Sequence, residues 1–591
     1  MKKNLWIPRQ MFYRVLWPAL ISAVALAVAD IADALVIGAR VGEKGLAAIG
    51  IVTPVYMVYN LIGYGFSVGG CVTHGKLTSA ARNYDALCHF RTLAAWLLGI
   101  SAVIAIGGNL LMTPLLSLLG ADSSRPELLA LCKTYARPMI AAAPIFMLNF
   151  ILYDFVRCDD GARLASLGFS LGCAVDLALN IVLVLILGMG VLGSIIATVA
   201  AQAVSVAVLS IHLFKGRGVL RMKSILRAVG DPKEIRKEVV SSLSIGFSAS
   251  IRYVFQFLFL PLGNRLLLRA GDLGLIDGDL YVAVFDVVMN VSYVALSVYQ
   301  ASSETMQPLA SVFTEEHDQD SLKCVLRLAL TWGLALGGAL AGLLALFAGP
   351  VSSFFGVTEA ASQAVSIPAI CIFCLSAPMG GCLVILTGYY QSTGEKQLSS
   401  LITLMRCALF LLPATLIFGL FRPDGFWWLF PACEAASLLL LGAVIRFRRR
   451  NAMAADIPVF SAVMDNGDHE LQRVLEGLER FCEEHEFPVK KAMQIQLAAE
   501  ELCLVTLEKA FTGKPEEYIQ LTLCEEKSGD FSLRIRNSAP YFNPLDMKMG
   551  RLQQDAKDEF LYSIGVMMVK KQAKALYYRN YEGFNVVLAI L

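Results

Sequence analysis

Apolar runs the length of a bilayer crossing recur along this chain, and no other feature constrains its fold as strongly. They fall at 13–38, 45–72, 90–112, 130–155, 163–187 and 191–214, then at 238–262, 280–303, 325–347, 366–390, 398–420 and 425–446. A helical crossing needs about 20 apolar residues. The bilayer core offers the backbone no water, so a spanning segment must satisfy its own N–H and C=O groups, as a helix does. The runs predict an all-α polytopic membrane protein with 12 transmembrane helices in two six-helix bundles. Charged residues make up 17% of the chain, against about 25% in soluble domains. A net charge of +2 argues against a nucleic-acid partner. The 14 cysteines lie mostly in apolar runs (Cys71, Cys173, Cys382 and Cys407 among them) and are expected to pack rather than to bind metal or cycle redox state.

An even number of spans puts both ends on one side. The segment "KGRGVLRMKSILRAVGDPKEIRKE", 215–238, the run "RFRRR", 446–450, and Lys2, Lys3 and Arg9 share that side. The positive-inside rule makes it cytoplasmic and predicts a multi-pass protein of the cytoplasmic membrane. The first bundle then covers 1–214, a basic cytoplasmic linker 215–237, and the second bundle 238–450. Gly161 in "FVRCDDGAR" and Gly394 in "YYQSTGEKQ" are 233 residues apart, and Gly190 and Gly425 at the starts of spans six and twelve are 235 apart. The near-constant offset points to a duplicated six-span unit. From about 451 onward charge becomes frequent and no run can cross a membrane. Residues 457–591 predict a soluble α/β sandwich domain, with strands at 458–464, 517–525, 531–537, 575–579 and 584–591 and helices at 468–485, 488–512 and 562–573.

Several stretches, taken in order, resemble the multidrug and toxic compound extrusion (MATE) transporters: "DALVIGARVGEKGLAAIGIVTP", "LNIVLVLILGMGVLGSIIATVAAQ" at 179–202, "SSETMQPLASVF" at 302–313, and "YYQSTGEKQLSSLITLMRCALFLLP" at 389–413. The resemblance covers about 10–447. It implies two bundles that alternate access and an antiport of Na⁺ or H⁺ against organic molecules, usually cationic or amphipathic.

Charges inside the runs are functional candidates, because burying one costs on the order of 3 kcal/mol or more. "AVADIADALVIG", 27–38, carries Asp30 and Asp33. Asp33 lies about 7–8 Å from the outer end of span one, and Asn180 about 10 Å from the outer end of span five, at 1.5 Å per residue. A carboxylate with an amide oxygen suits a weakly held Na⁺ or a proton. The resemblance implies a further acid four residues after Asn180, but Val184 stands there. Asp176, one turn before Asn180, and Asp30, one turn from Asp33, are the substitutes. The expected cation-coupling set is therefore Asp33, Asp30, Asn180 and Asp176. In the second bundle Arg252 and Asp286, and likewise Arg406 and Glu434, fall at matched depths and are expected to pair. These four line the expected substrate cavity, with Glu434 the foremost substrate contact.

"QLAAEELCLVTLEKAF", 496–511, resembles the first helical motif of histidine-kinase-like ATPases of the anti-sigma-factor branch. Glu501 matches the motif's Glu, but Val505 replaces the Asn that holds Mg²⁺. In "RIRNSAPYFNPLD" Asn537 takes the place of the adenine-binding Asp and Ala539 that of a Gly. In "SIGVMMV" Gly565 is kept while Ser563 replaces a Gly. The nucleotide-binding set Glu501, Val505, Asn537, Ala539 and Gly565 is therefore degenerate, and ATP is expected not to be hydrolysed.

The expected function is cation-coupled export of small organic compounds, with 457–591 serving regulation or docking a cytosolic regulatory protein. The alternatives are a lipid-linked precursor flippase, which requires a strongly cationic cavity, and a membrane sensor that signals through the C-terminal domain.

Overall fold

The computed structural model describes residues 5–119, 126–216, 218–355, 357–451, 458–467, 469–514, 516–526, 529–546 and 557–591, and it leaves undescribed the side chains of 30–47, 118, 232, 249, 449–451 and 557–563. Among the described residues 11 helical stretches are long and apolar enough to cross a membrane. One of these, Ala143–Ile186, contains a reversal. Its backbone leaves helical geometry at Asp159 (φ −104°) and Asp160 (φ 68°). Ser205 donates to Asn149 at 2.8 Å and stands against Gly172, so positions on either side of the turn share one depth. Counting the two limbs separately, Pro126–Val156 and Ala162–Ile186, restores the twelve expected spans.

The helical backbone Trp6–Ser79 holds two spans, Trp6–Ala29 and Ala48–Ser79. Ser22 meets the Ser166 carbonyl near the 157–161 turn, whereas the Ala48 carbonyl meets Cys132 at the opposite end. His74 comes back to that turn. The two spans therefore run in opposite directions. One buried core draws on residues 48–239, chiefly of the first bundle, and another on 259–430 of the second, while a third joins Ile7, Met11, Phe12 and Leu16 of span one to Tyr299, Met306 and Phe313 of span eight.

The bundles touch through the halves nearer the C-terminal domain. A Cβ placed on Gly69 would run into the Ser242 carbonyl, and one on Gly246 into the Gly65 carbonyl. Small residues there let the Ala48–Ser79 span and the Pro232–Ser250 helix approach backbone to backbone, where van der Waals contact rather than the hydrophobic effect drives helix association. One expectation is corrected here: Cys71 and Cys158 are joined in a disulfide, with their Cα atoms 6.0 Å apart. The reversal at 157–161 brings Cys158 beside the end of span two, a proximity that no spacing in the sequence signals.

The C-terminal domain is a five-stranded antiparallel sheet, β1 (Val459–Met464), β2 (Ile519–Glu525), β3 (Phe531–Asn537), β4 (Ala575–Tyr581) and β5 (Phe584–Ile590), in the order β1-β2-β3-β5-β4. Period-2 alternation assigns its faces. Ile519, Leu521, Leu523, Phe531, Leu533 and Ile535 join the core formed with the helices Glu470–Glu484 and Val489–Lys509. The alternate residues Gln520, Thr522, Arg534 and Arg536 are polar yet buried, because the transmembrane region covers that face.

Candidate functional site

Within the first bundle, Asn180 is fully buried and donates to the half-buried Asp176 at 3.4 Å. A π-helical turn, Ile181–Ile186, begins at the next residue and holds the buried Val184. Such turns disturb the regular ladder of helical hydrogen bonds and occur often at functional sites. A second one, Met405–Leu411, lies in span eleven and contains Arg406. The side chains of Asp30 and Asp33 lie outside the described residues.

In the second bundle, Arg406 grips Glu434 through two hydrogen bonds, Nε to Oε2 at 2.8 Å and Nη2 to Oε1 at 2.5 Å, as expected. The expected Arg252–Asp286 pair does not form. Arg252 donates to the Tyr253 hydroxyl at 3.1 Å and lies 5.0 Å from that ring's centre, while Asp286 accepts from Asn290. Arg252 opens the helix Arg252–Asp272, about 30 Å from its far end, whereas Asp286 stands about 12 Å into Gly278–Glu315 from that same side. The two charges occupy different halves of the membrane.

A cavity of about 70 Å³ opens where the bundles meet. Tyr64, Arg252, Tyr253, Gln300, Gln307 and Arg406 are among its lining residues, and no carboxylate is. Arg406 spends its charge on Glu434, but among the described residues no carboxylate pairs with Arg252. A network absent from the sequence expectations lies next to this cavity. Arg157 donates to Asp154 at 2.8 Å within its own bundle and to Glu304 of the other bundle at 2.7 Å. Tyr153 and Gln300 also donate to Glu304, at 3.4 and 3.1 Å. Charged residues inside "FVRCDDGAR" and "SSETMQP" were the available signal, since each stands in an apolar setting.

Asp159, at the reversal, was likewise missed. Its carboxylate is fully buried and meets His74 at 3.2 Å and His212 at 3.0 Å, and it accepts the Val219 and Leu220 N–H groups at 3.0 and 2.8 Å. The basic linker is thereby tied to the first bundle.

In the C-terminal domain, Val505 and Ala539 are buried. Asn537 accepts from Asn585 at 3.0 Å, and Asn585 also donates to the Ala539 and Pro540 carbonyls. The Glu501 carboxylate lies directly against Gly565, where a Cβ would collide with it. Burial, with Glu500 beside it, raises its pKa. The structure thus brings Glu501 to Gly565 and Asn537 to Ala539. Asn537 is buried, and the Glu501 carboxylate fills the space where a side chain on Gly565 would stand.

The domain docks onto both bundles. On the first-bundle side Arg14 donates to the Glu582 carbonyl at 2.7 Å, and the Glu582 N–H donates to Asp160 at 2.5 Å. On the second-bundle side Arg536 makes two hydrogen bonds to Glu316, at 2.6 and 2.8 Å, and Gln520 donates to Asp318 at 2.7 Å. Tyr581 and Phe584 are buried in one cluster with Ile7, Met11, Phe12 and Phe313.

Two bundles of six spans with a polar cavity between them have the architecture of a secondary transporter. The MatE family model matches residues 18–183 and 272–417, and that for the histidine kinase-like ATPase domain matches 466–591. The chain belongs to the MATE family and carries a C-terminal histidine-kinase-like ATPase domain. It is 23% identical over 465 residues to a probable multidrug resistance protein, YoeA, of Bacillus subtilis (strain 168), covering 76% of this chain and 94% of that one. It is 25% identical over 403 residues to an FAD transporter of Shewanella oneidensis, covering 67% and 85%. Among solved structures, MATE in complex with MaL6 superposes with a TM-score of 0.68 at 20% identity, covering 75% of this chain and 97% of that one. A MOP superfamily transporter from Pyrococcus furiosus, described by a reverse polarity of its binding pocket, also gives 0.68 at 20% identity, covering 76% and 98%.

Proposed function

We propose that this protein is a cation-coupled antiporter of the cytoplasmic membrane that exports an amphipathic organic compound bearing an acidic group. Arg252 carries the reading: it is a cation on the wall of the inter-bundle cavity with no carboxylate partner among the described residues. A cationic substrate would meet repulsion there, and the acid expected to receive it, Glu434, is already neutralised by Arg406. The similarity to an FAD transporter agrees with an anionic, aromatic cargo. Coupling by Na⁺ or H⁺ falls to Asp176 and Asn180 together with Asp33 and Asp30. The positive-inside rule sets the docked domain in the cytoplasm, so the arrangement is closed inward. The C-terminal domain acts as a regulator, holding that side closed by gripping both bundles, rather than as an ATPase.

Proteoliposomes loaded with a flavin dinucleotide or with a cationic dye test the substrate class. Under an imposed Na⁺ or pH gradient, the flavin should move and Arg252→Gln should cut its flux at least about tenfold, the loss of one charge-assisted contact. Transport of the cationic dye alone, unaffected by Arg252→Gln, would exclude this reading. Asp176→Asn and Asp33→Asn should leave binding in place and abolish the gradient dependence.

A further inference from the structure

The seam where the C-terminal sheet meets the two bundles holds a second cavity, of about 40 Å³. A water needs about 10–15 Å³ by this measure, so the space takes a few waters or one phosphoryl group. Arg534, Arg536 and Arg579 line it from the sheet, Thr78, Ser79 and Asn83 from the end of span two and the start of span three, and Glu316 of the second bundle is the one carboxylate among the described residues of its wall. Three guanidiniums therefore face one carboxylate. Arg534 and Arg536 are 5% and 4% exposed, and the Nε of each lacks a hydrogen-bond partner.

The partners present leave Arg534 short of counter-charge. Arg536 has Glu316. Among the described residues Arg534 reaches Ser532, Cys524 and, at 3.8 Å, the half-exposed Glu526. Arg579 reaches the Cys158 carbonyl at 3.5 Å and its own neighbour Tyr581, and outside the cavity wall its charge also acts on Asp159, Asp160 and Glu582. Buried cations that lack counter-charge and spare N–H donors are costly to keep. The helix Asn83–Leu110 begins at the same cavity, so its positive end adds to the field.

We propose that this seam is a binding site for a phosphate group, carried either by a soluble organophosphate or by a lipid headgroup. The site is separate from the transport cavity and from the degenerate nucleotide motifs. An occupant touches both the sheet and the first bundle, so it strengthens docking of the domain.

Hydrogen exchange on the intact protein tests this. Inorganic phosphate is titrated into detergent-purified protein, and nanodiscs of phosphatidylcholine are compared with and without phosphatidic acid. The backbone amides of 532–536 and 577–588 report occupancy. Saturable slowing by inorganic phosphate marks a soluble source, and slowing only with phosphatidic acid marks the lipid. Arg579→Gln and Asn83→Glu should each weaken the effect about tenfold, as expected for one charge-assisted contact. Asn83 is exposed at the rim and belongs to no buried pair, so its variant keeps the fold intact. No slowing from either source, or slowing that both variants leave unchanged, overturns the proposal.

Discussion

Arg157 is the residue on which inter-bundle closure turns, because it answers two carboxylates from different bundles while only 3% of its side chain is exposed. Removing the cation and removing one anion are therefore unequal. Arg157→Gln leaves Asp154 and Glu304 facing each other without a counter-charge, whereas Glu304→Gln leaves Arg157 with Asp154. Breaking a buried pair costs about 3–5 kcal/mol. Arg157→Gln should approach that cost and Glu304→Gln should fall well below it, read as the drop in midpoint of thermal unfolding in detergent. Equal drops would mean that Asp154 does not share the cation. Asp159 gives a second expectation at this scale. Asp159→Ala strands two buried histidines and two backbone N–H groups, and each unsatisfied donor costs about 1–3 kcal/mol. It should destabilise the first bundle by several kcal/mol, again seen in thermal unfolding, while Arg82→Ala, on an exposed pair, should barely register.

The β4–β5 hairpin is the element that meets the membrane region, and its turn residue Glu582 titrates in an informative range. Burial, with Asp160 beside it, pushes the Glu582 carboxyl up to about 8, while Arg163, Arg14 and Arg579 act the other way. Released into water, the group returns to the ordinary value of 4.5. The docked form therefore holds a proton that the released form lacks between those two values. Docking is strongest at and below the lower value and weakens as pH rises through the upper one. Hydrogen exchange of the hairpin amides should quicken between about pH 5.5 and pH 9 beyond the intrinsic base-catalysed rate, and Glu582→Gln should flatten that excess. The elements themselves were largely legible. The strand read at 531–537 coincides with β3, and the apolar runs gave the spans. Depth was less legible. Span seven is read as ending at 262, yet the helix continues through Arg265 and Arg269 to Asp272, and this displaces Arg252 from Asp286. The arginines of β3 look solvent-facing in the sequence, because nothing local says that the open face of the sheet is covered by another part of the chain. The site was half legible for the same reason: Arg406–Glu434 joins adjacent spans of one bundle, whereas Arg157–Glu304 depends on how two bundles meet.

At the scale of the whole molecule, the C-terminal domain binds the first bundle through Asp160 and Arg14 and the second through Glu316 and Asp318, and it does so on the side where the bundles already touch. Alternating access requires that side to part. A rigid sheet attached to both halves opposes the motion by the free energy of whichever attachment must break first. The second-bundle attachment rests on Arg536–Glu316, with both side chains about 5% exposed, and on Phe313 beneath the guanidinium. Arg536→Gln leaves Glu316 buried without its cation, worth about 3–5 kcal/mol by the usual cost of breaking such a pair. Against a two-state equilibrium, about 1.4 kcal/mol changes the ratio tenfold. The variant should therefore convert a population closed on the domain side into a mixture with a clearly populated open form. Spin labels at exposed positions on the domain-side ends of the two bundles would report it as a second, longer distance in pulsed EPR. Wild type should show the short distance alone. A single short distance in both proteins would mean that closure is set by the contact of Gly65 and Gly69 with Gly246 and Ser242, and that the domain rides on the transporter without restraining it.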